Sequence, residues 1–175
     1  LILLVRNFRG IRLFSFLVSS LIIIILTFSV ENVKERMIDQ TINQTNILKQ
    51  EKSFGFSDLH NRYYTTAIQM FFDKPVFGYG PKMYREACSY DRYVNLNGCS
   101  THPHNNYLQS LAELGFIGTI PLFFLFFFVS FKLIKHLYYK VVHKSYDLVD
   151  YEICLLVAIL LTLWPFAPTG NLFNN

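Results

Sequence analysis

The sequence predicts an all-α membrane protein: three transmembrane helices, with a large, partly helical loop between the first and the second. Two bulk observations carry this. Hydrophobic residues make up 52% of the 175-residue chain, with 18 Phe and only 16% charged residues, and the mean hydropathy is +0.29. These apolar residues are gathered into three blocks separated by polar sequence, which a soluble domain of this size rarely shows. A third observation, the basic residues flanking two of the blocks, orients them.

Residues 1–12 form a basic flank with Arg6, Arg9 and Arg12. The first block, Leu13–Val30 (LFSFLVSSLIIIILTFSV), carries no charge. The second, Phe116–Ile134 (FIGTIPLFFLFFFVSFKLI), carries only Lys132, near its end. The third, Ile153–Pro168 (ICLLVAILLTLWPFAP) within an expected span of residues 151–168, is shorter, with Tyr151 and Trp164 placed for the two interfaces. A helical span needs about 20 apolar residues. Core helices of a soluble protein are the competing reading, and runs this long without a charge argue against it. Residues 1–30 are basic and then apolar, but no small-residue cleavage site closes the run, so a cleaved signal peptide is not expected.

Lys132, Lys135, Lys140 and Lys144 lie in or after the second block. The positive-inside rule therefore places 1–12 and 135–150 in the cytoplasm. The loop of residues 31–115 then lies outside, and residues 169–175 return to the outer side. The loop holds equal numbers of acidic and basic residues, so the net charge of +4 belongs to the cytoplasmic flanks. That charge reports topology and contact with anionic membrane lipids; it gives no reason to expect nucleic acid as a partner.

Within the loop, Val33–Gln40 has helical character, and the polar run to residue 57 reads as a solvated connection. Ser57–Asp73 (SDLHNRYYTTAIQMFFD) reads as a helix capped by Ser57 or Asp58, with Leu59, Tyr63, Ala67, Met70 and Phe71 on one apolar face. Arg62 stands in its first turns. Lys74–Pro81 (KPVFGYGP) demands a turn. The mixed segment that follows holds Arg85 and Arg92. Cys88 and Cys99 both fall in the loop: a disulfide, adding about 3 kcal/mol by the chain-entropy model, and two free thiols are both open. A zinc set of Cys88, Cys99, His102 and His104 has suitable residue types but no familiar spacing.

Thr101–Gly118 (THPHNNYLQSLAELGFIG) carries the chemistry. Pro103 biases His102 to an extended backbone. His104 or Asn105 caps a helix with Leu108, Leu111 and Leu114 on its apolar side, and Gly115 suits the position after its end. A histidine at a helix N-terminus is disfavoured as imidazolium, and a neutral imidazole accepts protons. The same helix end suits phosphate oxygens. A capping or lipid-contacting histidine, and a solvated Arg62, are the plainer alternatives.

Together these pieces resemble the O-antigen ligase and O-antigen polymerase superfamily of bacterial inner-membrane proteins. The family signature, H-[NSQ], nine residues, then G-x-x-G, is matched by His104-Asn105, Asn106–Leu114 and Gly115-Phe116-Ile117-Gly118. His102 and the L-Q-x-L-A-E core of the helix are similar to family members. So are an arginine opening an upstream helix (Arg62), the P-x-x-G-x-G turn Pro75–Gly80, and the ending T-G-N-L-F-N-N. The resemblance covers residues 12–175. Members have many more spans, so the chain is expected to be a piece from the C-terminal half, with the loop in the periplasm.

The resemblance implies transfer of a glycan from undecaprenyl diphosphate to an acceptor hydroxyl, lipid A-core in a ligase or another glycan in a polymerase. His104 would be the base and Arg62 the diphosphate ligand. His102, Asn105, Arg85 and Arg92 would assist in substrate binding. Members work without metal, so no metal or other cofactor is expected, and direct displacement would invert the anomeric centre. A protein O-oligosaccharyltransferase of the same fold and a non-catalytic transporter or scaffold segment are the rival readings. The spans hold few charges, and the polar groups sit in the loop, which favours surface chemistry over transport.

Overall fold

A computed structural model describes residues 4–5, 7–40, 42, 57–94, 96–145 and 147–173. Among these residues the chain is all helical, with no strand. Helix α1 is Arg9–Ser29 and α2 is Glu31–Lys34, followed by a π-helical turn at Glu35–Asp39. Then come α3 (Asp58–Asp73), α4 (Tyr84–Ala87), α5 (Asp91–Val94), α6 (Asn106–Tyr138) and α7 (Asp150–Thr162). The polar connection before Ser57 and the flanking Arg6 lie outside the described residues.

The chain divides into two compact units, Leu1–Asn43 with Phe127–Thr162 and Gln44–Phe126 with Leu163–Asn175. In the first, Val5, Val129, Leu133 and Ile153 form a small core, with Leu148, Leu156 and Val157 against it. His136 is fully buried there. Its Nε2 lies 3.2 Å from the Leu4 carbonyl, and its Nδ1 accepts from the Leu148 N–H at 3.2 Å. The Leu4 carbonyl also accepts from Lys140 Nζ at 3.1 Å, and Lys135 pairs with Asp147 at 3.3 Å. The basic residues expected after the second span thus tie down the segments beside it.

Among the described residues, two helices are long and apolar enough to cross a membrane. Helix α1 buries none of its residues in the protein, and a helix that is apolar all round without burial suits lipid. The second is α6 with the turn that follows it, Asn106–His143. The block expected as a third span holds α7, whose 13 residues reach about 20 Å, short of a hydrocarbon core of about 30 Å. Pro165, three residues beyond its end, limits extension.

Helix α6 is broken at Gly115, whose φ of 67° and ψ of −167° are non-helical. The break frees carbonyls before it and N–H groups after it, and the turn after α3 takes both. Tyr79 N–H donates to the Ala112 carbonyl (3.0 Å) and Gly80 N–H to that of Glu113 (2.7 Å). In return Phe116 N–H donates to the Pro75 carbonyl (2.7 Å) and Ile117 N–H to that of Val76 (3.3 Å). Four backbone bonds therefore staple the P-x-x-G-x-G turn into the helix break, satisfying groups that would otherwise be orphaned.

The second unit packs around Ala67, Met70, Tyr84, Ala87, Cys88, Tyr93 and Ala112. The buried face of α3 is Tyr64, Thr66, Ala67 and Met70. It is rotated from the expected one: Leu59 is 52% exposed, and Tyr63 and Phe71 are half-buried. Tyr84 organises this core. Its N–H donates to Glu113 Oε1 (2.8 Å), and its hydroxyl donates to the Gly98 carbonyl (2.7 Å).

Candidate active site

Ser57 starts the construction. Its side chain caps α3 by accepting from the His60 N–H, and its hydroxyl also lies 2.7 Å from His60 Nδ1. The cap thereby fixes a ring as well as a helix end. His60, Tyr63 and Tyr64 follow the three- and four-residue spacing that puts side chains on one helix face.

The histidine segment is pressed against that face. Cys88 and Cys99 form a disulfide with Cα atoms 5.1 Å apart, which settles the open alternative and removes both thiolates from the zinc set. At Gly98, beside it, an added Cβ would lie 2.8 Å from the Arg62 carbonyl carbon and closer still to the Thr66 hydroxyl. Only glycine lets the segment approach α3 this closely.

Asn105 caps the first part of α6, its Oδ1 accepting from the N–H groups of Tyr107 (3.0 Å) and Leu108 (3.1 Å). His104 is therefore the residue before the cap. It adopts a left-handed backbone, φ 57°, a conformation in which histidine is enriched among non-glycine residues. Its carbonyl accepts from the Thr169 N–H at 2.9 Å, and Asn105 Nδ2 donates to the Pro165 carbonyl at 2.6 Å. His102 Nε2 lies 3.3 Å from the Thr169 carbonyl, and its Nδ1 lies 2.9 Å from the Thr101 hydroxyl.

The half-buried His104 ring ends up among aromatic neighbours. Its centroid lies 4.2 Å from that of His102, 5.6 Å from Tyr63 and 5.7 Å from His60. Burial lowers its pKa below the ordinary histidine value, and charge repulsion with His102 and His60 lowers it further. The direction is the one expected from the sequence. The cause is corrected: burial and imidazole neighbours act here, and the capping position belongs to Asn105.

Beneath the site the buried face of α6 is polar. Leu108, Leu111 and Leu114 are only half-buried, whereas Gln109, Ala112 and Glu113 are buried. Gln109 Nε2 donates to Glu113 Oε2 (3.1 Å) and Asn171 Oδ1 (2.8 Å), and its Oε1 accepts from Leu172 N–H (3.0 Å). Thr169 Oγ1 donates to Asn106 Oδ1 (3.0 Å). The T-G-N-L stretch, residues 169–172, is thus bound along α6, and Thr169 holds both histidines.

The structure brings His102, His104 and Asn105 together with His60, which the sequence reading did not single out, and Tyr63, which it placed on the apolar face of α3. The Ser57-x-x-His60 spacing within a helix start was the available signal. Arg62 is exposed in the same turns of α3, off the face that carries His60 and Tyr63. Arg85 is exposed on α4, and Arg92, on α5, pairs with Asp73 at 2.7 Å. Tyr93 also donates to Asp73, so at the 2.6 Å contact between the two hydroxyls Tyr79 donates to Tyr93.

No curated protein and no solved structure matches the chain. A family model described as O-Antigen ligase matches residues 1–123, which takes in α1, α3, the histidine segment and the first part of α6. The match covers well over half of the 175 residues, and the chain belongs to the O-antigen ligase family.

Proposed function

We propose that this protein moves a glycan from undecaprenyl diphosphate to an acceptor hydroxyl, as an O-antigen ligase acting on lipid A-core. The coarse reading, a glycosyltransferase or ligase of surface glycan biosynthesis working on lipid-linked glycans in a membrane, is what the family implies. The observation that carries the base assignment is the cluster around His104: a half-buried imidazole whose pKa burial lowers, packed against the helix that bears the exposed Arg62.

In this reading the acceptor hydroxyl attacks the anomeric carbon as His104 takes its proton. The bond from the anomeric carbon to the diphosphate oxygen breaks, and the lipid diphosphate leaves with the electron pair. Displacement from the opposite face inverts the configuration. Arg62 holds the diphosphate, because guanidinium stays charged and binds phosphate oxygens in pairs. Arg85 is a further candidate from α4. His102 and Asn105 shape the acceptor side, and His60 and Tyr63 support the ring of His104. Arg92, paired with Asp73, reaches substrate only by leaving that pair. No step calls for a metal or another cofactor. The loop of residues 31–115 faces the periplasm of a bacterial inner membrane in this scheme. Residues 151–168 return the chain outward, and 1–12 and 135–150 are cytoplasmic.

The test is glycan transfer by the full protein in membranes, with native lipid-linked glycan and candidate acceptors. His104→Ala at matched protein level is expected to lower transfer by about a hundredfold or more. Transfer by His104→Ala equal to wild type would overturn the assignment. Transfer to lipid A-core identifies a ligase, and transfer only to another lipid-linked repeat identifies a polymerase.

A further inference from the structure

The turn between α3 and α4 presents an apolar tip that the glycan-transfer site does not use. Phe77 is 73% exposed, Val76 49%, and Phe72, at the end of α3, 72%. Soluble surfaces seldom gather large apolar side chains in this way. The position of the tip gives it a meaning. Its Pro75 and Val76 carbonyls accept from the N–H groups of Phe116 and Ile117, the first two residues of α6 after the Gly115 break. From that point α6 is the apolar span, and Phe116 (57%), Ile117 (50%), Ile120 (46%) and Phe124 (69%) lie exposed along it. The exposed tip is therefore continuous with the side chains that face lipid, at the level where the span leaves the hydrocarbon. Lys74 sits beside the tip, exposed, with its ammonium 4.3 Å from the centre of the Tyr79 ring, as a snorkelling lysine at an interface would.

We propose that the Lys74–Gly78 turn is a lipid-surface anchor: Phe77, Val76 and Phe72 insert into the outer leaflet beside the start of the second span. Because Gly78 and Gly80 N–H lock the same turn to Lys74 and to the Glu113 carbonyl, the anchor is rigidly joined to the helix that carries His104 at its start. It would hold that end of α6 at a set depth. The inference stands on exposure and backbone bonding and not on the glycan-transfer chemistry; only the choice of the outer leaflet rests on the topology proposed above.

Trp164 is the one tryptophan of the chain, so Trp164→Phe with Phe77→Trp places a single fluorophore at the tip. The full chain would be reconstituted in phosphatidylcholine–phosphatidylglycerol vesicles, with and without phosphatidylcholine brominated near the top of its acyl chains. Acrylamide in the aqueous phase gives the opposite quench, and Asp91→Trp, at an exposed position on α5, gives the solvent reference. The indole at position 77 is expected to lose about half its emission or more to brominated lipid, and to be shielded from acrylamide relative to position 91. Phe72→Trp should behave in the same way and guards against a local effect of one substitution. Acrylamide quenching at 77 equal to that at 91 would overturn the proposal by placing the tip in water. Protection of both 77 and 72 from both quenchers would overturn it too, because protein, not lipid, would then cover the tip.

Discussion

Gly78 and Gly115 meet backbone to backbone. Each has a left-handed φ, 66° and 67°, and neither has room for a side chain. A Cβ at Gly78 would lie 2.6 Å from the Gly115 nitrogen, and one at Gly115 would lie 2.6 Å from the Phe77 nitrogen. Two glycines from separate motifs, one in P-x-x-G-x-G and one in G-x-x-G, thus serve a single joint. The joint stops the membrane helix and seats the turn in the gap.

Gly78→Ala and Gly115→Ala should each destabilise the protein by about 1–2 kcal/mol from the left-handed backbone alone, with steric overlap adding to that. Gly170→Ala, where an added Cβ meets nothing within 4 Å, should stay within about 0.5 kcal/mol of wild type. Thermal unfolding of the purified protein separates the three. Equal midpoints for all of them would mean that the joint relaxes freely.

Asn105 does two separable jobs. Its carbonyl oxygen caps α6, and its amide nitrogen donates to the Pro165 carbonyl. Asn105→Asp keeps the cap and loses the donor; Asn105→Ala loses both. The cap is worth about 1 kcal/mol, so Asn105→Ala should be the less stable by roughly that amount. Both variants should loosen the segment around Thr169, read as faster amide exchange there, because one of its attachments is gone. Protection unchanged in both would show that the contacts of Thr169 with His102, His104 and Asn106 suffice to hold it.

Much of this was legible in the sequence, and the parts that were not share a physical reason. The two long apolar blocks, the α3 cap, the glycine after the first part of α6 and the paired histidines follow from composition and local rules. Periodicity misplaced the buried face of the α6 start, because it follows Leu108, Leu111 and Leu114 and gives no weight to the polar Gln109 and Glu113. They are buried because partners distant in sequence, Tyr84, Asn171 and Leu172, supply their hydrogen bonds. His60 was overlooked for a similar reason: only the fold brings it to His104. The third apolar block shows the limit of composition, since helix length depends on where Pro165 stops it.

The Cys88–Cys99 bridge closes a short loop and fixes Gly98 against α3, directly ahead of the histidines. Its loss, by Cys88→Ser with Cys99→Ser or by reduction, should lower stability by about 3 kcal/mol if loop entropy dominates. Glycan transfer should fall more than stability at temperatures where the protein remains folded, because the segment carrying His102 and His104 loses an anchor. Wild-type transfer under full reduction would show that Tyr84 and Thr169 suffice to hold it.

The lowered pKa of His104 gives a prediction with a definite sign. The base must be neutral, so the acid limb of kcat/KM should lie below the ordinary histidine pKa of about 6.5. His60→Gln removes one of the charges that depress it, so the limb should move to higher pH while the plateau persists; His102→Gln should act in the same direction. The stability term follows the same sign. With the folded pKa below the unfolded one, the unfolded chain binds the extra proton in the window between them. His104 therefore costs stability as pH falls through about 6.5, and the cost levels off below the folded pKa. A pH–rate profile of wild type and both variants is the deciding measurement. An acid limb that stays put in both variants would mean that the neighbouring imidazoles do not tune His104, leaving burial as the sole cause.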